Sequence, residues 1–402
     1  MRWWPIRVVR VRRLPAPPPP DEMLVIEDRL RRNVEDVLAI RDRQVRGGIV
    51  VFRGQLTTEP ARAVDLLVDR FRPLGYTPYL REESGAVAVQ AWPVAEPTPR
   101  PRVRVNLMLF ILTCVSTLIA GFSFAGSPTF DALRSEHSAA WILAGAPFAF
   151  TLMAILGVHE LGHYFTARHY RASVSLPYFI PAPFLFGTLG AIILMRSPAR
   201  DRNSLFDIAA AGPLAGLAVA LPAALLGVAW SSVVPAPPGG YLAFGDSLFT
   251  WGLAYLWFGH IPPGYMLFTH PMADAAWAGC LVTALNLFPV GQLDGGRIAY
   301  ALFGRRHRAI GKATVAALVL FGVTAFVLGL RTPGTDAVSA LMASLNWFVW
   351  AGLISLLVGF QHSPPLDDLS PISPRRRVVG IACLVLIVLL MPPPLSPLVA
   401  VR

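Results

Sequence analysis

The hydrophobic positions divide the chain into a short polar part and a long apolar part. From residue 105 onward the sequence contains several apolar stretches of about 20 residues, the length of helix that crosses a bilayer. These stretches predict membrane-spanning helices at residues 105–124, 139–167, 205–230, 272–289, 310–330, 338–360 and 378–390. Residues 242–258 are also apolar but short and interrupted by glycine, so the pattern predicts seven or eight spans.

A different pattern precedes the spans and predicts a small α+β domain. Residues 1–22 are basic and then proline-rich, which favours disorder, and the charged residues 27–46 favour a helix. Residues 48–56, 76–81 and 86–92 favour strands, and an amphipathic helix is expected from residue 58 or 59 to residue 71. We therefore expect a disordered N-terminus over 1–22, the domain over 23–92, a linker over 93–104 and a transmembrane region over 105–402, with a core at about 139–305.

One apolar segment cannot be a regular helix. Residues 173–195 contain helix-breaking residues at Pro177, Pro181, Pro183, Gly187 and Gly190. Irregular backbone at membrane depth is tolerated only against protein or a water-filled cavity. The segment predicts a β-hairpin or loop whose strand edge could receive an extended peptide, or else a plain loop at the membrane interface.

Composition supports a polytopic membrane protein and disfavours nucleic-acid binding. Hydrophobic residues make up 54% of the chain and charged residues 15%, against about 25% charged residues in soluble domains. The net charge of +11 could indicate nucleic acid, but no aromatic and basic module accompanies it, so no nucleic-acid partner is expected. The three cysteines lie apart in apolar stretches and form neither a disulfide framework nor zinc-finger spacing.

The arginines indicate how the spans are oriented. They gather at span ends that fall on one side when the spans alternate, and such positive ends face the cytoplasm. The N-terminal domain is therefore expected to be cytoplasmic. The bias to arginine over lysine, with abundant Ala, Pro and Gly, suggests a GC-rich bacterial genome, so a bacterial inner membrane is expected. The arginines concerned are Arg100, Arg102, Arg104, Arg168, Arg171, Arg196, Arg200, Arg202, Arg305, Arg306, Arg308, Arg375, Arg376 and Arg377.

Residues 159–163 of the second span read His-Glu-Leu-Gly-His. In a helix this spacing places the imidazoles of His159 and His163 one turn apart on one face, with the Glu160 carboxylate beside them. Two such histidines are half of a zinc hydrolase site. His159 precedes Arg168 by nine residues, about 14 Å of helix, so the motif lies inside the bilayer near its cytoplasmic face.

Asp294 is the best candidate for a third zinc ligand. It lies at the cytoplasmic end of the fourth span, the same depth zone as His163, where a carboxylate is costly unless it binds something. Glu160 would then act as the base that accepts a proton from water and delivers it to the leaving amide nitrogen. Asn286 lies eight positions before Asp294, and a continuous helix would place both on one face.

These motifs resemble those of the site-2 protease family of intramembrane zinc metalloproteases, peptidase family M50. His159–His163 matches the family's HExxH motif, Asn286 to Gly295 matches NxxPxxxLDG, and residues 211–216 resemble the helix that contains Ala-Gly-Pro. Residues 175–181, 187–192 and 270–271 are most similar to the chloroplast branch of the family and its bacterial relatives.

The resemblance implies an all-α catalytic core of three helices and one Zn²⁺ held by His159, His163 and Asp294. It also implies that Glu160 is the catalytic base. Asn286 would support catalysis by polarising the scissile carbonyl or by holding the substrate backbone. The alternative role for Asn286 is an interhelical hydrogen bond without a part in catalysis. The expected partners are transmembrane protein substrates and the lipid bilayer.

Two other functions fit part of the sequence. A catalytically silent scaffold or chaperone of the same fold would not need Glu160. An ion transporter would carry more acidic residues inside its spans, where Asp207 is the main additional one. The remaining histidines considered are not expected to bind zinc: His137, His169, His260, His270 and His362.

Overall fold

The computed structural model of the protein describes residues 18–83, 85–93, 102–124, 144–182, 186–236, 245–332 and 336–392. The predicted disorder of residues 1–17, most of the predicted linker and the first residues of the second predicted span lie outside these ranges. The described part is mostly helical, with a small N-terminal β-rich region and two short β-hairpins.

The N-terminal region is a four-stranded antiparallel sheet with two helices, here called the N-terminal module (residues 20–92). Its strands follow the order β1-β2-β4-β3, and side chains of both helices share one hydrophobic core with the sheet. The largest core side chains include Phe52 of the sheet and Phe71 of the second helix. Its elements are α1 (Pro20–Arg32), β1 (Leu38–Arg46), β2 (Ile49–Leu56), α2 (Pro60–Phe71), β3 (Thr77–Glu83) and β4 (Ala86–Trp92).

Two expectations for this region are corrected. A helix over residues 27–46 is wrong for its second half, because Leu38–Arg46 forms β1 and pairs with β2 along its whole length. The local charge pattern favours a helix there, but the long-range pairing outweighs it. The prediction of disorder is wrong for residues 20–22, which form the first turn of α1. This helix begins with Pro20, and proline is favoured at the first position of a helix.

The apolar part of the chain is built from helices. They are α3 (Val103–Phe124), α4 (Ala146–His169), α5 (Arg202–Ala229), α6 (Leu248–Phe258), α7 (Pro271–Asn286), α8 (Asp294–Phe303), α9 (His307–Arg331), α10 (Ala337–Leu353) and α11 (Pro374–Leu390). Among the described residues, four segments are long and apolar enough to cross a membrane: Val103–Phe122, Arg202–Ala229, Asp294–Arg331 and Ala337–Leu356.

Two predicted spans are shorter or interrupted in the structure. The fourth predicted span ends at Asn286, and a turn separates α7 from α8 before the chain continues into α9. The apolar segment 242–258 contains α6, which has only 11 residues and at about 1.5 Å per residue cannot cross a bilayer.

Short hairpins lie on both sides of α5 in the sequence. Tyr178–Pro181 (β5) and Thr188–Ile192 (β6) form an antiparallel pair within the segment predicted as a hairpin or loop. Ser232–Pro235 (β7) and Tyr265–Phe268 (β8) form a second pair that the sequence did not predict. The second pair joins the end of α5 to the start of α7, so these two helix ends lie together.

Candidate active site

Three packed helices form the centre of the apolar part. Helix α4 contacts both α5 and α7, and these two also contact each other. Small residues make the packing close, since a side chain on Gly162 would meet the backbone carbonyl of Ala211 at 2.7 Å. Glycines at helix contacts allow such approach, which is typical of membrane helix pairs. The three helices enclose the buried side chains of His159, Glu160 and His163.

Asp294 reaches the two histidines from the first turn of α8. Its Oδ2 atom is 3.1 Å from Nε2 of His163 and 3.5 Å from Nε2 of His159. The two Nε2 atoms are 3.2 Å apart. Three donor atoms from two different parts of the chain therefore meet at one buried point.

The hydrogen bond on the far side of the His163 ring prepares it as a ligand. Nδ1 of His163 lies 2.6 Å from the carbonyl oxygen of Ile208 in α5. A carbonyl only accepts, so Nδ1 donates, and the neutral ring presents the Nε2 lone pair to the site. A partner of this kind fixes the tautomer and the orientation of metal-binding histidines.

Two glycines of α5 leave space for the imidazole rings. A Cβ atom on Gly212 would lie 2.1 Å from Nε2 of His163, and one on Gly216 would lie 3.2 Å from Cβ of His159. Any side chain at position 212 would therefore overlap a proposed ligand atom. This is the structural reason for the Ala-Gly-Pro-Leu-Ala-Gly sequence of residues 211–216.

A tight turn over residues 287–293 carries Asp294 back to the site. Gly291 adopts a left-handed conformation with φ +51°. A Cβ atom on Gly295 would lie 1.6 Å from the carbonyl oxygen of Leu287, so only glycine fits this close crossing of the chain. The chain is thus not helical from Asn286 to Asp294, and the turn rather than a shared helix face brings both residues to the site.

The donor set fits a zinc ion. Zinc prefers imidazole nitrogen and carboxylate oxygen at about 2.0–2.2 Å in tetrahedral geometry, which separates neighbouring donors by about 3.4 Å. The three observed separations lie between 3.1 and 3.5 Å. Among the described residues, His159, His163 and Asp294 form the cluster that could hold a metal ion.

The Glu160 carboxylate is buried beside the donor atoms and faces the hairpin. The backbone of Ile193, the residue after β6, lies near this carboxylate, and helix α4 packs against β6. A chain segment lying along β6 would have its backbone next to this carboxylate.

Asn286, at the end of α7, also points into the site. Its Nδ2 atom is 3.5 Å from Nε2 of His159. All five residues named from the sequence are therefore brought together: His159, Glu160, His163, Asn286 and Asp294.

Helix α3 contributes contacts that sequence reasoning missed. Nδ2 of Asn106 donates to the carbonyl oxygen of Pro177 at 2.7 Å, and Oγ of Ser116 donates to the carbonyl oxygen of Gly187 at 2.6 Å. The rings of Phe110 and Phe179 pack edge to face, 5.1 Å apart. The polar residues inside an apolar helix were the available signal, since such residues mark contacts between elements.

The other histidines lie outside the donor cluster. The ring of His270 accepts a hydrogen bond from the backbone N–H of Met272 and caps the start of α7, and the His362 ring packs against Tyr300. His137 lies outside the described residues.

Comparison with known proteins finds similarity to one family of peptidases. The model of peptidase family M50 matches residues 147–330. The probable zinc metalloprotease EGY1 of Arabidopsis thaliana, a chloroplastic protein, is 30% identical over 322 residues, which cover 74% of this chain and 55% of the relative. The probable zinc metalloprotease EGY2 of Oryza sativa subsp. indica, also chloroplastic, is 28% identical over 87% of this chain and 62% of the relative.

The EGY2 protein of Arabidopsis thaliana is 32% identical over 64% of this chain and 43% of its own length. The chain thus spans about half the length of the curated relatives that it matches. No solved structure matches the chain.

Proposed function

We propose that the protein is an intramembrane zinc metalloprotease of peptidase family M50, whose model matches residues 147–330. It hydrolyses peptide bonds of membrane-spanning proteins near the cytoplasmic face. The observation that carries the proposal is the convergence of two imidazoles and a carboxylate, with a second carboxylate beside them, in a buried site between apolar helices.

We propose that His159, His163 and Asp294 hold one Zn²⁺ ion. A zinc ion in such a site lowers the pKa of water and polarises a carbonyl group. The three residues supply two neutral ligands and one anionic ligand, and the Ile208 carbonyl keeps the His163 lone pair directed at the site.

Glu160 carries out the proton transfers in this proposal. Its carboxylate accepts the proton that the attacking water loses and delivers it to the nitrogen of the cleaved amide, so the products are a carboxylic acid and an amine. The packing of α4 against β6 places the Glu160 side chain near β6, where the scissile bond would lie. Asn286 is placed to donate a hydrogen bond to the substrate carbonyl or backbone.

Strand β6 offers a place for an extended substrate. A transmembrane helix keeps its carbonyl groups in internal hydrogen bonds, so hydrolysis needs a locally extended segment. Among the described residues β6 pairs with β5 alone, which leaves its other edge for strand addition. Leu189 of β6 is exposed and suits an apolar substrate side chain.

We propose seven membrane crossings, by α3, α4, α5, the pair α7 and α8, α9, α10 and α11. The N-terminal module and the β7–β8 hairpin support this alternation. The module contacts residues that precede α5, follow α8 and lie between α10 and α11, whereas the hairpin joins the opposite ends of α5 and α7. With the arginine-rich ends in the cytoplasm, the module is cytoplasmic.

The protein is an integral membrane protein. Which membrane holds it is a question that the topology does not answer. The composition suggests a bacterial inner membrane, whereas the relatives are named as chloroplastic proteins and give that assignment no support. The proposed topology holds for either membrane.

The two other functions have less support. A silent scaffold has no use for a Glu160 carboxylate buried beside the metal-binding cluster. Asp207, the carboxylate that a transporter would need free, accepts two hydrogen bonds of 2.7 Å from Arg376 and one from Tyr170. It therefore links three helix ends.

The Glu160→Gln substitution tests the proposed function. The amide is similar in size but cannot accept the proton, so the variant should keep its zinc and lose cleavage. Zinc per chain is measured by elemental analysis, and cleavage by proteomics of membrane-protein fragments in cells that carry wild type or variant. Glu22→Gln, an exposed position on α1, is the matched control and should leave fragments unchanged. Normal fragment formation by Glu160→Gln would refute the mechanism.

A further inference from the structure

One carboxylate outside the metal site connects the helices that carry and orient the proposed ligands. Oδ1 of Asp368 accepts a hydrogen bond from Nε of Arg202 at 3.0 Å, and Oδ2 accepts one from the Tyr300 hydroxyl at 2.9 Å. The Asp368 side chain is only 8% exposed. Arg202 is the first residue of α5, and Tyr300 lies in α8.

Both contacts lie close to a ligand along their helices. Tyr300 follows Asp294 by six residues, and Arg202 precedes Ile208, whose carbonyl orients His163, by six residues. Each separation is about 9 Å along a helix axis at about 1.5 Å per residue. Since α5 and α8 run in opposite directions here, Asp368 ties them together at one end while the metal site lies at the other.

The backbone of Asp368 is itself held in place. The N–H of Asp368 donates to the carbonyl oxygen of Leu80 at 3.1 Å. The N–H of Leu80 donates to the carbonyl oxygen of Leu366 at 2.7 Å. On the other side, the N–H of Asp367 donates to the carbonyl oxygen of Arg200 at 2.8 Å. Through isolated β-bridges, residues 366–368 therefore connect β3 of the N-terminal module with the residues that lead into α5.

Because the Asp368 carboxylate is buried, it depends on both of its hydrogen-bond donors, one from α5 and one from α8. A carboxylate taken out of water is costly unless charged or hydroxyl donors satisfy both oxygens. Here the Arg202 guanidinium and the Tyr300 hydroxyl do so, and the Arg202 guanidinium also lies 3.2 Å from the point where a Cβ would stand on Gly304, at the end of α8. Loss of either donor leaves part of the Asp368 carboxylate buried without a partner, which favours separation of the two helices.

We propose that Asp368 is a positioning residue that sets the separation between Asp294 and the two histidine ligands. It does so by fixing α5 and α8 to each other and to the N-terminal module. The proposal rests on the zinc site assigned above, but it concerns zinc affinity rather than cleavage.

The test measures zinc affinity of the full-length protein in detergent by competition with a chromophoric chelator. Asp368→Asn and Tyr300→Phe should each weaken zinc binding about ten-fold or more, the size of effect typical of residues that orient metal ligands. The double variant should lose little more than Asp368→Asn alone, because both changes remove the same contact. The absorption spectrum of the Co²⁺-loaded variants should also shift, since it reports ligand geometry.

Asp65→Asn is the matched control. It breaks the exposed 2.6 Å ion pair between Arg200 and Asp65 at the same junction without touching α8, and should leave zinc affinity unchanged. Wild-type zinc affinity in folded Asp368→Asn would overturn the proposal. If that variant fails to fold, Tyr300→Phe, which removes one oxygen atom, decides it in the same way. Failure of the wild-type protein to bind zinc at all would overturn the proposed function as well.

Discussion

The proposed metal ligands differ in how the surrounding residues prepare them. His163 is oriented by the Ile208 carbonyl, and His159 lies beside the Asn286 amide. Asp294 is the only anionic member of the set and the only one that reaches the site from outside α4. It therefore neutralises half of the charge of a divalent ion and anchors the 287–293 turn to the site. The contribution of Asp294 to binding can be measured separately from that of the histidines.

Asp294→Ala should lower both the affinity for zinc and the amount retained after purification. Two imidazoles remain, which is one ligand fewer than zinc hydrolase sites use. Asp294→Asn keeps an oxygen donor without the charge and should fall between the alanine variant and wild type. Chelator competition and elemental analysis give both quantities. Asp28→Ala, an exposed position on α1, is the control. Unchanged zinc content and affinity in Asp294→Ala would remove Asp294 from the ligand set.

At the scale of elements, the site depends on how closely α4 and α5 approach. On α5, the His163 ring occupies the place where a side chain on Gly212 would be. On α4, Gly157 has no neighbour within 4 Å of the corresponding point. The two glycines therefore allow the effect of helix approach to be separated from the effect of helix propensity. Adding a methyl group costs packing energy only at Gly212.

Gly212→Ala should weaken zinc binding and destabilise the protein. A methyl group there overlaps Nε2 of His163, and overpacking of this kind typically costs about 1–3 kcal/mol. Gly157→Ala should be neutral or slightly stabilising, because alanine is favoured over glycine in a helix by about 1 kcal/mol. Zinc affinity and the thermal unfolding midpoint are measured for both variants. Equal zinc affinity of Gly212→Ala and Gly157→Ala would show that the α4–α5 approach does not govern the site.

The sequence predicted elements whose signal is local. The His159–His163 spacing specifies a helix face, and the prolines and glycines of residues 173–195 exclude a helix, as the β5–β6 pair confirms. The failures are long-range. Strand β1 exists because β2 pairs with it, β7 and β8 are separated by 29 residues, and the turn at Gly291 returns the chain through a crossing that only the folded backbone defines. The use of Asp368 depends on such contacts too, so no local pattern indicates it.

At the scale of the whole molecule, the N-terminal module lies at one end of the helices. A backbone pairing joins Leu80 of the module to Asp367, and another joins Asp367 to Asp201 at the start of α5. Nη2 of Arg305, beyond α8, donates to the carbonyl oxygen of Glu82 at 2.9 Å. The β7–β8 hairpin closes the other end. If the seven crossings are as proposed, the module and the hairpin must lie on opposite sides of the membrane.

Labelling of single cysteines tests this arrangement. The three native cysteines, Cys114, Cys280 and Cys383, are first replaced by alanine. Arg41→Cys in the module, Gln361→Cys between α10 and α11, and His260→Cys near the hairpin then each place one thiol at an exposed position. In intact bacterial cells a membrane-impermeant maleimide should label only position 260. After lysis it should label all three.

Labelling of positions 41 and 260 from the same side would contradict the alternation of spans. Labelling of position 361 with position 260 would contradict the crossings between α9 and α11 and the position of residues 366–368 beside the module. This second outcome would still leave the catalytic helices as proposed, because Asp65 and Glu82 of the module contact Arg200 before α5 and Arg305 after α8 directly. The two results therefore distinguish two errors. One concerns the side of the membrane nearest to the active site, and the other concerns the number of spans. Only the first would move the proposed cleavage away from the cytoplasmic face.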